Sequence, residues 1–112
     1  MTVFHEPADW DFDKLGHRGK KFPSQDLTSK GDFLIIEIDG HLGSRLRQRV
    51  SDFVYYVLDG SGSFVVDGIE SSCTAGNLVV VPAGSVVTYG GTMKMLLIST
   101  PPWRPEQEDV LQ

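Results

Sequence analysis

Three arginines in alternation, in the run Arg45-Leu46-Arg47-Gln48-Arg49, are the densest group in this chain that could do chemistry. Side chains alternate across a strand, so an extended segment here puts the three guanidinium groups on one face and Leu46, Gln48 and Val50 on the other. A planar guanidinium holds a carboxylate or phosphate by two parallel hydrogen bonds, which makes Arg47 and Arg49 a candidate anion clamp. Tyr55 and Tyr89 are candidate catalytic proton-exchange groups. Neither has an obvious base beside it in sequence, and a phenol with an ordinary pKa of about 10 is a poor base unless cations lower it. His5, His17 and His41 are scattered, with no spacing that suggests convergence on a metal, and they read as isolated surface histidines. Cys73 has no histidine in its local sequence to activate it and reads as a packed small hydrophobe.

Composition narrows what such groups could serve. A chain of 112 residues suits one domain with its own core. The formal net charge of −5 argues against general nucleic-acid binding, because three arginines make a local site and not a phosphate-tracking face. The longest apolar runs, such as Leu78-Val79-Val80-Val81, fall far short of the ~20 residues that a membrane-spanning helix needs. No secretory signal is visible in MTVFHEPADW, and a single cysteine asks for no oxidising compartment, so a cytoplasmic location is expected.

The elements that must position these residues read as β-strands. Residues 1–30 are polar and mixed in charge and are expected to form a solvated arm or edge segment without chemistry. From residue 31 onward, short segments rich in Val, Ile, Leu, Phe and Tyr alternate with glycine-bearing turns. Strands are predicted at Phe33–Ile38, Arg45–Val50, Phe53–Leu58, Ser63–Asp67, Ile69–Cys73, Leu78–Val81, Val86–Tyr89 and Met93–Ser99. Turns are expected between them, including Asp59-Gly60-Ser61-Gly62 and Gly90-Gly91. Eight short strands over residues 31–100 suit an all-β jelly-roll barrel. Residues 101–112 open with prolines that cannot join a central strand, and Trp103 is expected to pack this tail back onto the barrel.

Two stretches carry a recognisable pattern. Tyr55-Tyr56-Val57-Leu58-Asp59-Gly60, with Gly62 and Val65-Val66-Asp67-Gly68, resembles the first motif of the cupin superfamily. Gly76-Asn77-Leu78-Val79-Val80-Val81-Pro82-Ala83-Gly84 resembles the second, and residues 61–75 make a compact version of the spacer between them. The resemblance covers residues 33–100 and implies a small single-domain cupin barrel, with a homodimer as the family expectation. It also implies metal ligands at fixed offsets from the motif glycines. In this chain those offsets fall on Arg47, Arg49, Phe53 and Val87, none of which offers a lone pair to a divalent ion, so no metal and no other cofactor is expected.

Motif counting and hydrophobic parity disagree about the arginine strand. Counting sends Arg47 and Arg49 into the barrel, whereas parity sends Leu46 and Val50 there, and a one-residue slip exchanges the two faces. Counting is preferred, because a second barrel packed on the sheet could cover Leu46 and Val50. Buried guanidinium groups need partners, for which Glu37, Asp39 and Asp52 are candidates, or else an anionic ligand. The same parity lines the cavity with Phe53, Tyr55, Val57, Val87 and Tyr89, so Arg47, Arg49, Phe53 and Val87 are the expected ligand-binding residues. Three functions stay open: a metal-free barrel that binds a small anionic or partly apolar molecule, a metal-independent isomerase, lyase or cyclase acting on a carboxylate-bearing substrate, and a dimeric scaffold whose interior is filled by Phe53, Tyr55, Met93, Met95 and Leu97.

Overall fold

Two long strands form the spine of the molecule. The computed structural model describes residues 3–111, in which nine strands make one curled sheet. In chain order they are β1 (Phe12–Lys14), β2 (His17–Lys21), β3 (Asp32–His41), β4 (Arg45–Gln48), β5 (Asp52–Val66), β6 (Ile69–Thr74), β7 (Leu78–Val81), β8 (Val86–Thr100) and β9 (Glu108–Leu111). β5 and β8 run antiparallel along almost their whole length, from Asp52 opposite Thr100 to Val66 opposite Val87. The free edge of β8 takes β3 and then β4, and the free edge of β5 takes β7 and then β6. Each long strand therefore serves two shorter partners in succession, which curls the sheet into a jelly-roll barrel. Among the described residues no helix is long and apolar enough to cross a membrane.

The turns expected at Asp59–Gly62 and Gly90-Gly91 are instead corners inside continuous strands. Gly62 pairs with Gly91 and Gly60 with Met93, so the two glycine clusters face each other across the β5–β8 ladder, and a register shift between Val57 and Asp59 marks a bulge there. A Cβ on Gly60 would sit 1.9 Å from the Thr92 carbonyl oxygen, and one on Gly62 would sit 2.1 Å from that of Gly90. Glycine here permits two backbones to cross closely while the barrel bends. Sequence alone does not separate this use of glycine from a hairpin turn.

Of the two forms expected for the N-terminal segment, residues 12–21 take the edge one. β1 and β2 form a hairpin around Leu15 and Gly16, both at positive φ, and β2 extends the sheet from the edge of β3. At the other end of the chain β9 pairs with β4. Parity fills the interior with Ile36, Ile38, Phe53, Tyr55, Val57, Phe64, Val87, Tyr89, Met93, Met95 and Leu97. Burial of each such side chain contributes about 1.5–3 kcal/mol, so this cluster is the main source of stability. Met95 is wholly enclosed, and the Cys73 thiol packs 3.6 Å from the Met93 sulfur.

Hydrophobic parity, not motif counting, sets the faces of β4. Leu46 and Gln48 are buried on the inner side, while Arg45 is exposed and Arg47 is half-buried on the outer side. Arg49 lies just beyond the strand and pairs at the surface with Asp109. The expected acidic partners are engaged elsewhere. Glu37 holds Arg18 at 2.7 Å, Asp39 accepts from the Thr92 hydroxyl at 3.1 Å, and Asp52 accepts the Ala83 N–H at 2.8 Å. An apolar residue on a barrel strand gains more by facing inward than a guanidinium, whose desolvation costs several kcal/mol.

Candidate functional site

A cavity of about 470 Å³ opens inside the barrel, between the β1–β2 hairpin on one side and the chain after β8 on the other. Leu34, Ile36, Leu46, Phe53 and Leu97 give it an apolar wall. Lys14, His17, Tyr55, Tyr89 and Glu108 bring polar groups to the same space, with Trp103 beside them. Volume and lining are those of a pre-formed small-molecule site. Phe53, Tyr55, Met93, Met95 and Leu97 are all buried in the core, as the scaffold reading expects, and this cavity lies beside them.

The tyrosines are aimed by an aromatic stack. Tyr55 lies 5.0 Å from Phe64 and 5.6 Å from Tyr89 between ring centroids, and Tyr89 stacks on Phe64 at 4.8 Å. With their rings held on the core side, both phenols reach the cavity. Burial raises the Tyr55 and Tyr89 pKa values well above the ordinary phenol range, and no arginine lowers them. At neutral pH both therefore keep their protons and act as hydrogen-bond donors.

His17 is the residue that most departs from expectation. Its Nδ1 stands 2.6 Å from the Tyr89 hydroxyl, and its ring packs against Phe12 at 5.2 Å. Burial, reinforced by the nearby Lys14 cation, drops its pKa from 6.5 to about 4, so the imidazole is neutral under ordinary conditions. His41 is exposed, as is His5. Glu108, half-buried on the cavity side of β9, shifts the other way. Desolvation raises its pKa, while a hydrogen bond from the Trp103 side chain and the charge of Lys14 partly offset this. The site thus gathers a carboxyl group of raised basicity, a cation, a neutral imidazole and two protonated phenols, which is a set able to give and take protons.

Of the residues singled out from sequence, Tyr55, Tyr89 and Phe53 line the cavity and Val87 is buried in the core beside it. Arg47 and Arg49 do not line it. Lys14, His17, Trp103 and Glu108 escaped sequence reasoning. The Leu15-Gly16 step between two charged, strand-length segments was an available hairpin signal; nothing in the sequence singles out Glu108.

Comparison with known proteins rests on structure alone, since neither a protein-family model nor a curated protein matches the sequence. A histidine-to-glutamine variant of Streptomyces PAC13, solved with uridine, superposes with a TM-score of 0.90 at 18% identity, over 100% of this chain and 92% of that one. Pac13 itself, described as a nucleoside dehydratase, gives 0.88 at 19% identity over 99% of this chain and 92% of that one. KdgF from Halomonas sp. gives 0.72 at 17% identity, covering 88% and 89%. These proteins are cupin barrels. The chain has the cupin fold. Of the four positions to which the motif offsets point, Arg47 and Arg49 lie on the outer side of the cupin barrel and Phe53 and Val87 are buried apolar residues. No cluster of three or more His, Cys, Asp or Glu side chains suited to a metal occurs elsewhere in the cupin barrel among the described residues.

Proposed function

We propose that this cupin is a metal-independent lyase that takes a small molecule of nucleoside type, with a hydroxyl β to a carbonyl group, into the barrel and removes water from it, the α-carbon giving up a proton and the hydroxyl leaving as water. The observation that carries this reading is the convergence of Glu108, Lys14, His17, Tyr55 and Tyr89 on one apolar-walled cavity. Eliminating water requires one group to take a proton from carbon and another to protonate the departing hydroxyl. Glu108, made more basic by burial, is the base. The Tyr89 hydroxyl, backed by His17, is the proton donor, and Tyr55 donates a hydrogen bond to a developing oxyanion. Lys14 supplies the positive charge that an enolate-like transition state needs. Phe12, Phe53 and Trp103 suit a planar base placed at the cavity wall.

The overlap with a nucleoside dehydratase along the whole chain supports this substrate class, and so do Pac13 structures with uridine, two of which carry tyrosine-to-phenylalanine changes. The same cavity also supports a second reading, a binder without turnover, because an apolar wall with a few convergent polar groups suffices for binding. Homodimerisation belongs to the proposal as well. Tyr56 and Leu78 lie opposite each other on the outer face of β5 and β7, next to Val54 and Val80, and Tyr56, Leu78 and Val80 are 41–61% exposed, a surface suited to a second copy.

The test pairs calorimetric titration with uridine and with carbonyl-bearing nucleoside derivatives against turnover followed by mass spectrometry for loss of water. Binding with turnover, abolished in Glu108→Gln and weakened in Tyr89→Phe, is the expected result. Binding without turnover selects the binder. No binding of any nucleoside at millimolar concentration overturns the substrate class.

A further inference from the structure

The end of β4 and the residue after it are tied to the C-terminal segment at several points. β9 is four residues long and pairs with β4, where Glu108 stands opposite Gln48 with both side chains on the inner face. A short edge strand with one partner holds poorly on ladder bonds alone. Here the residues around Glu108 carry additional ties. The Gln48 side-chain amide donates to Gln107 Oε1 at 3.0 Å, and the Arg49 backbone N–H donates to the Gln107 carbonyl at 2.9 Å. The Arg49 guanidinium donates both to Asp109 Oδ1 and to the Glu106 carbonyl. Gln48 is itself fixed, because its Oε1 accepts the N–H groups of Val50 and Ser51, each at 2.6 Å. Two backbone donors converging on one oxygen leave the amide a single orientation, with Nε2 aimed at the tail. Positions 106, 107 and 109 are thus all bound by residues 48 and 49, and the residue between them faces the cavity.

We propose that Gln48 and Arg49 are positioning residues that hold β9 in register so that the Glu108 carboxyl stays in the cavity. The inference rests on the assignment of Glu108 to the cavity site and not on the identity of its ligand. Gln48 supplies the buried part of the clamp and Arg49, just beyond β4, the outer part, so two neighbouring side chains grip residues 106, 107 and 109 on both sides of Glu108. Released from them, β9 lifts, and the carboxyl meets water in place of Trp103, Lys14 and the two phenols.

The test uses the unliganded full chain. Amide hydrogen exchange is followed along β9, β5 and β8, and the Glu108 carboxyl is titrated by carbon NMR, in the parent, in Gln48→Leu, in Arg49→Asp and in the double exchange Arg49→Asp with Asp109→Arg. In Gln48→Leu and Arg49→Asp, the β9 amides exchange at least tenfold faster while β5 and β8 keep their protection, and Glu108 titrates closer to an ordinary carboxylate. The double exchange re-forms the ion pair but not the bond to the Glu106 carbonyl, so it restores both properties in part. An unmoved Glu108 titration in either single variant overturns the proposal, and so does an equal acceleration in β5 and β8, which would reduce the pair to general scaffold. If Gln48→Leu does not fold, Arg49→Asp and its charge exchange decide alone. Failure of nucleosides to bind would remove the ligand assignment and leave these results standing, because none of the readouts needs a ligand.

Discussion

Acidification from pH 7 to pH 5 should weaken this protein through His17. The histidine titrates near 6.5 in an unfolded chain and at about 4 in the fold. Between those values the unfolded chain binds a proton that the folded chain refuses, so stability is full above about 6.5 and is lost as the pH falls toward 4. For these two pKa values the loss between pH 7 and pH 5 is ~2 kcal/mol, or roughly 10 °C in melting temperature for a domain of this size. His17→Leu removes the titration along with the hydrogen bond to Tyr89, whose loss costs ~1 kcal/mol at every pH. Urea denaturation at pH 5, 6 and 7 should therefore give a parent curve that falls more steeply than that of the variant, by ~2 kcal/mol over the range. Glu6, held below the usual carboxylate range by Lys20 and Lys94, and Glu108, held above it, titrate in both proteins and cancel in the comparison. Parallel pH dependences would show that His17 is not held neutral by burial, and the Tyr89–His17 proton donor would lose its basis.

Three further outcomes follow from the fold. Gly60→Ala combines positive φ with a backbone collision at the barrel corner and should cost more than ~3 kcal/mol, whereas Gly76→Ala, also at positive φ but with nothing within 4 Å, should cost ~1–2 kcal/mol, both read by denaturant midpoint. Glu108 has a raised folded pKa, so whatever stability it contributes lies on the acid side and fades as pH rises through that value; Glu108→Gln should match or exceed the parent in thermal denaturation at pH 8 while turnover is lost. Joint substitution of Tyr56 and Leu78 by lysine should convert a dimer to a monomer in sedimentation, with the cavity site unaffected because both side chains point away from it.

The sequence made the barrel legible because its interior obeys a strict alternation. Phe53, Tyr55 and Val57 face in while Val54 and Tyr56 face out, and the glycine clusters fall where the chain bends. Corners and turns were confused because both need glycine, and only the partner strand distinguishes a backbone crossing from a reversal. The site was half legible. Tyr55 and Tyr89 lie on strands whose parity is readable, but Lys14, His17 and Glu108 come from edge segments whose polar composition looks like solvated surface. Arg47 and Arg49 misled because an inherited spacing was weighed above the simpler rule that Leu46 belongs inside.

Lys14 and His17 reach the cavity from the hairpin that flanks β3, and Glu108 from the strand that flanks β4. The β5–β8 spine contributes the two phenols, Phe53, Leu97 and the uncharged Ser99. Chemistry and architecture are thus separately mutable. Sequence drift in a peripheral hairpin or tail can replace a base or a cation without disturbing the folding core, so a lineage built on this plan can change its reaction while keeping its shape. Fold comparison would then recognise such descendants long after their reactivity had diverged.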